Sequence, residues 1–118
     1  MANNRDTGNL GELLAEEYFV KKGYIILHRN WRHKQLEVDM IAHKNNMLHF
    51  IEVKSRTSSD FGYPEENVTK QKIKFLIDAS AEFLYQYPQW KRIQFDVLAI
   101  VMKPGNEPEY FLIEDVYL

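Results

Sequence analysis

The amino-acid sequence predicts a single α/β domain over residues 1–118, with a small mixed sheet between helices. Three observations carry this. Helix-period and strand-period apolar patterns follow one another as helix, three strands, helix, then one strand or two. Strands with apolar residues on both sides need cover on both faces, and two amphipathic helices can supply it. A chain of 118 residues, 45% of them apolar, suits one core.

The elements follow in order. Thr7 can cap a first helix whose apolar positions are Leu10, Leu13, Leu14, Tyr18 and, at its edge, Phe19. Lys21-Lys22-Gly23 is a stop signal, with cations in the last turn and then a glycine able to take positive φ. Tyr24 to Leu27 reads as a short strand and Asn30 to Gln35 as a polar loop. Leu36 to Ala42 and Met47 to Lys54 are strands joined by His43-Lys44-Asn45-Asn46, and Ser55 to Asn67 is a long loop. Thr69 can cap a second helix with Ile73, Leu76, Ile77, Ser80, Phe83, Leu84 and Tyr87 on one face, ended by Pro88. Ile93 to Met102 is an apolar strand, Pro104 to Pro108 a turn, and Glu109 to Ile113 a short return strand.

Composition narrows the function. With no cysteine, disulfides and thiolate zinc sites are excluded. Met1 to Asp6 has no signal-type apolar stretch, and no segment reaches the ~18 apolar residues of a membrane span. A soluble cytoplasmic protein with no membrane partner is the expectation. A net charge of −2 argues against a broadly basic coat for nucleic acid. Basic residues still cluster at Lys21-Lys22, at His28-Arg29 with Arg32-His33-Lys34, and at Lys70, Lys72 and Lys74, although a solvated surface is the ordinary reading of each.

The chemistry concentrates in Leu36-Glu37-Val38-Asp39-Met40-Ile41-Ala42 and Phe50-Ile51-Glu52-Val53-Lys54. Acids inside strands are unfavourable unless they are paired or hold a metal. A two-residue Asn45-Asn46 turn pairs Lys44 with Met47, sets Asp39 opposite Glu52 and sets Glu37 opposite Lys54. A three-residue turn would send Glu52 to the other face. Facing carboxylates repel, and Mg²⁺ (or Mn²⁺) between them turns that cost into a site. Such an ion assists phosphodiester hydrolysis, and Lys54 on the face of Glu52 could aid the water or the developing charge. The Val53 carbonyl could be a further ligand. Simple ion pairs among Glu37, Glu52 and Lys54 are the competing reading.

These segments resemble the YraN-like family of bacterial proteins, within the restriction-endonuclease-like PD-(D/E)xK nucleases. Gly8, Gly11-Glu12 and Ala15 look like its first-helix motif, closed by Gly23-Tyr24, and Asn30 precedes a variable loop as in the family. Glu37-Val38-Asp39 matches its E-[IV]-D segment, and Phe50-Ile51-Glu52-Val53-Lys54-Ser55-Arg56 its F-[VI]-E-V-K-x-R segment. Val68-Thr69 with Lys72, Ala79 and Leu84 fit its second helix, and Phe95-Asp96-Val97 its next strand. Leu36 stands where the family usually has glycine, and Gln94 where it often has arginine.

The resemblance implies a restriction-endonuclease-like three-layer sandwich. It implies that Asp39 and Glu52 hold a divalent metal, that Lys54 serves catalysis, and that Glu12 joins as an added ligand or water-orienting group. Lys72 and Arg56 are the expected nucleic-acid contacts, and Glu37 is expected to pair with Lys54 or Arg56. The implied activity is a metal-dependent endonuclease on DNA, with branched or structured duplex as substrate. The fold is similar to that of Holliday-junction resolvases, which act as dimers, so a homodimer is the matching expectation. A non-catalytic nucleic-acid-binding module is the alternative, and a purely structural domain the third.

Other residues carry less. The four histidines lack metal-ligand spacing and read as surface or packing groups. Trp31 could stack on a base or anchor its loop, as could Trp90. Asp96 reads as a support of the fold. Phe61 and Tyr63 in the Ser55–Asn67 loop are candidates for recognition.

Overall fold

The computed structural model describes residues 4–57 and 69–116, and for residues 4–9 the backbone alone. Helix α1 spans Asn4–Lys21, strand β1 Ile25–His33, β2 Leu36–Lys44 and β3 Met47–Arg56. Helix α2 spans Lys70–Gln86, β4 Ile93–Val101 and β5 Glu109–Ile113. The strands form one sheet in the order β1-β2-β3-β4-β5. Neighbours run antiparallel except β3 and β4. A parallel step needs a crossover connection, and the segment containing α2 makes it. The element order is the expected one, helix–three strands–helix–two strands. No helix among the described residues is long and apolar enough to cross a membrane.

The helices cover opposite faces. Ala15 and Phe19 of α1 join Met40, Ala42, Ile51, Leu98 and Ile100 in one core cluster. Leu76, Ala79 and Phe83 of α2 join Ile41, Leu48 and Phe50 in the other. Adjacent strand residues thus feed different layers, as Ile51 and Phe50 do, which is why these strands read as continuous apolar runs.

The closing signals work as expected. Gly23 takes φ +91°, and Tyr24 N–H returns to Phe19 C=O at 3.0 Å, satisfying a carbonyl of the last turn. The Thr69 side chain accepts from Lys72 N–H, and α2 stops at Gln86, two residues before Pro88. Asn45 and Asn46 both take positive φ (53° and 65°), and Lys44 pairs with Met47. The two-residue turn therefore sets the register on which the acids depend.

Four expectations are corrected. Asn30 to Gln35 is not a loop: β1 runs on to His33, and Lys34-Gln35 make a tight turn to Leu36. Ser55 and Arg56 belong to β3, while residues 58–67 of the expected loop, with Phe61 and Tyr63, lie outside the described residues. Thr7 falls inside α1, which already begins at Asn4. Leu10 (49% exposed) and Leu13 (61%) face outward, and the buried stripe is Gly11, Ala15 and Phe19. Small residues at i and i+4 let the helix lie close to the sheet, which apolar periodicity alone does not register.

Candidate active site

The ladder between β2 and β3 runs from Lys44–Met47 to Met40–Ile51, just before Asp39 and Glu52 would meet. There the Asp39 side chain takes over: its Oδ2 accepts Val53 N–H at 2.8 Å. The carboxylate thus replaces a main-chain acceptor at the point where the two strands carry their acids.

Alternation also breaks at Asp39. Strict alternation would put Val38 on the side of Met40, yet Val38 packs in the α2-side cluster and Met40 in the α1-side cluster. Across the ladder, Asn30 falls between the pairs Arg29–Met40 and Trp31–Val38, and takes φ +51°. Asparagine tolerates this left-handed conformation better than most residues. The paired irregularity sets Asp39 on the wall of two hollows. One, of about 600 Å³, also meets Glu52 and Lys72. The other, of about 260 Å³, meets Glu12 and Arg29.

Glu52 draws two ammonium groups to one oxygen. Its Oε1 lies 3.2 Å from Lys54 Nζ and 3.7 Å from Lys72 Nζ. Lys54 comes from the next position on the same face of β3, and Lys72 from the first turn of α2, fixed by the Thr69 cap. Burial works toward the neutral amine of Lys54 but is outweighed by contact with Lys72 and by the Glu52 and Asp39 carboxylates, so its pKa is raised. Lys72 moves the other way, lowered by burial and by its contact with Lys54.

Asp39 has its carboxyl pKa pushed up to about 6. Burial is the largest cause, and Glu52, Glu12 and Glu37 add to it against the Val53 hydrogen bond. Negative charge here is uncomfortable, a condition that a cation would relieve.

Glu12 is reached by Asn30 Nδ2, which donates to its Oε2 at 3.3 Å. Its helix comes in close because Gly11 packs on β3: a Cβ built on Gly11 would lie 2.6 Å from Ser55 Cβ. Among the described residues, however, no three acidic or imidazole side chains gather tightly enough to form a ready-made metal cage. Glu37 pairs with Arg32 at 3.3 Å, rather than with Lys54 or Arg56. Arg56 closes β3 beside Val101 and by alternation shares the face of Glu52 and Lys54.

Trp31 is on β1, edge-on to Phe83 with centroids 5.6 Å apart, so it packs on α2 rather than anchoring a loop. Asp96 does support the fold. It is fully buried, meets His49 Nδ1 at 2.6 Å, and accepts from Asp115 N–H and Gln94 Nε2. Sequence reasoning missed the roles of Asn30 and His49 because each depends on a partner distant in the chain. An asparagine interrupting a strand-like stretch was the available signal for Asn30.

The pattern of the uncharacterised protein family UPF0102 matches residues 11–100, from Gly11-Glu12 through all the site residues above. The chain belongs to the UPF0102 family. A UPF0102 protein of Flavobacterium psychrophilum is 42% identical over 117 residues, 99% of this chain and 98% of its own. One from Caldicellulosiruptor saccharolyticus is 45% identical, covering 89% of this chain and 90% of its own. One from Rhodococcus opacus is 37% identical over 118 residues, 99% of this chain and all of its own. The resemblance read from the motifs holds at the level of the UPF0102 family.

Proposed function

We propose that this UPF0102 domain is a divalent-metal-dependent endonuclease that hydrolyses phosphodiester bonds of branched or otherwise structured DNA. The observation that carries the reading is the half-buried Asp39 carboxylate, held by Val53 N–H beside Glu52, Lys54 and Lys72 at the end of the β2–β3 ladder. The donors suit Mg²⁺ or Mn²⁺, being hard carboxylate oxygens with room for water and phosphate to complete the shell. Among the described residues, Val53 N–H meets one oxygen of Asp39, and the two lysines meet one oxygen of Glu52. Each carboxylate therefore has a second oxygen for a cation. A bound ion would supply Lewis acidity to the phosphodiester and lower the pKa of water.

The protein's own groups do the rest. Asp39 and Glu52 would hold the ion, and Asn30 donates to Glu12, which lines the neighbouring hollow beside Asp39. Lys54, kept cationic by its carboxylate neighbours, stabilises charge developing on the phosphate oxygens. Lys72 orients the phosphate from α2, and Arg56 extends the basic face along β3. Water attacks phosphorus and forms a new P–O bond as the bond to the 3′ oxygen breaks; the water gives up a proton to solvent, and the departing 3′ oxygen takes one from solvent to become the hydroxyl.

The test is calorimetric titration of Mg²⁺ into wild type and into Asp39→Asn/Glu52→Gln, each repeated with a four-way-junction oligonucleotide. Binding that DNA strengthens and the double variant loses supports the proposal. No binding by wild type even with DNA would reduce the acids to ion pairs. One observation favours a second reading, a binding module without catalysis: no three-acid cage is formed among the described residues. Tight, salt-sensitive DNA binding indifferent to Mg²⁺ would select it.

A further inference from the structure

The larger hollow has two unlike walls. Glu37, Asp39, Glu52 and Lys72 form the charged one. The other holds Phe75, which is 49% exposed, together with the exposed amide side chains Gln35 and Gln71. Of the exposed large apolar residues of α2, which are Phe75, Ile77 and Tyr85, only Phe75 lines this hollow. Leu76, the next residue, is the one that packs inward.

We propose that this second wall is a nucleobase subsite, which accepts one unpaired base next to the scissile phosphate. The inference rests on the nuclease reading and narrows its substrate to DNA with an unpaired nucleotide at the cleavage point. A base has flat apolar faces and polar edges, matching an aromatic ring flanked by amides that both donate and accept. A volume of about 600 Å³ lies within the range of small-ligand sites and exceeds what a single ion needs. The charge pattern fits as well. The first turn of α2 has no acidic residue, and Lys72 lies one helical turn from Phe75 on the rim of the same hollow, within reach of the phosphate of the same nucleotide. In intact duplex the base faces are buried in the stack and out of reach of Phe75. Only an unpaired or extruded nucleotide can meet it.

The test compares two labelled oligonucleotides of the same sequence, one fully paired and one with a single-stranded flap. Binding is measured by fluorescence anisotropy with Ca²⁺ replacing Mg²⁺ to hold back cleavage. Wild type should prefer the flap by about five- to 150-fold, the range expected from stacking one base on an aromatic ring. Phe75→Ala should lose the preference while binding paired duplex unchanged, and Phe75→Tyr should retain it. Phe75→Leu keeps the apolar bulk without the ring and should also lose it, which separates the subsite from a loss of fold. Equal affinity for both oligonucleotides, or a preference indifferent to Phe75→Ala and Phe75→Leu, would overturn the subsite and leave the nuclease reading standing. Binding of neither oligonucleotide would overturn both.

Discussion

Asp39 keeps its proton in the folded protein up to about pH 6, whereas the unfolded chain releases it near 3.8. The raised native value sets the sign. The proton-linked stability is fully present below pH 3.8 and is lost as pH rises through 6. A gap of about two units corresponds to roughly 3 kcal/mol at most. Metal-free Asp39→Asn should therefore be more stable than metal-free wild type at pH 7.5, by roughly 1–3 kcal/mol, and the gain should vanish near pH 3.5. Urea unfolding at the two pH values checks this, and equal stabilities at pH 7.5 would contradict it. Saturating Mg²⁺ should stabilise wild type and not the variant, because a ligand raises stability only where the folded state binds it. The buried His49–Asp96 pair gives a second residue-scale prediction. His49→Ala removes one of three hydrogen-bond partners of the buried Asp96 carboxyl group, leaving Asp115 N–H and Gln94 Nε2, and should cost roughly 1–3 kcal/mol, read as a lowered urea midpoint.

The elements bring these residues together, and their legibility in the sequence was uneven for physical reasons. Asn45-Asn46 settles the register locally, because two adjacent residues that tolerate positive φ define a hairpin turn. Thr69, Gly23 and Pro88 mark helix ends through equally local chemistry. The length of β1 was hidden, since the polar stretch from Asn30 looks like a loop, and Trp31, Arg32 and His33 pair as an edge strand only because β2 lies alongside. The inward face of α1 was hidden too. Its contact is made by Gly11 and Ala15, whereas the more apolar Leu10 and Leu13 point outward. Gly11 offers a direct check, since Cβ against Ser55 Cβ at 2.6 Å cannot be relieved by rotating the serine. Gly11→Ala should shift α1, weaken Mg²⁺ binding about tenfold through displacement of Glu12 and lower the melting temperature, with Ser55→Gly restoring part of both losses. Unchanged binding and melting in Gly11→Ala would show that the close approach is unimportant.

At the scale of the molecule, the site lies where the β2–β3 ladder ends and helices from both faces converge. Motifs identified the acids and Lys54, but the approach of Lys72 and Asn30 depends on how the layers pack. The net charge of −2 also has a consequence there. With Glu12, Glu37 and Glu52 around Asp39, metal-free protein should repel a phosphate backbone. Mg²⁺ should thus raise DNA affinity at least about tenfold at fixed ionic strength, with Asp39→Asn/Glu52→Gln showing a much smaller response. Filter binding with and without EDTA measures it, and an identical Mg²⁺ effect in both proteins would contradict the assignment.

The most direct measurement is cleavage of a flap-bearing, end-labelled duplex by homogeneous protein in Mg²⁺ or Mn²⁺, beside Lys54→Ala and Asp39→Asn. Wild type should cut the strand only with metal present, each variant should lose about 10²-fold or more, and EDTA should abolish the activity. Cleavage that survives both substitutions, or its absence from wild type on this and on four-way-junction DNA, would contradict the assignment of catalysis to Asp39, Glu52 and Lys54.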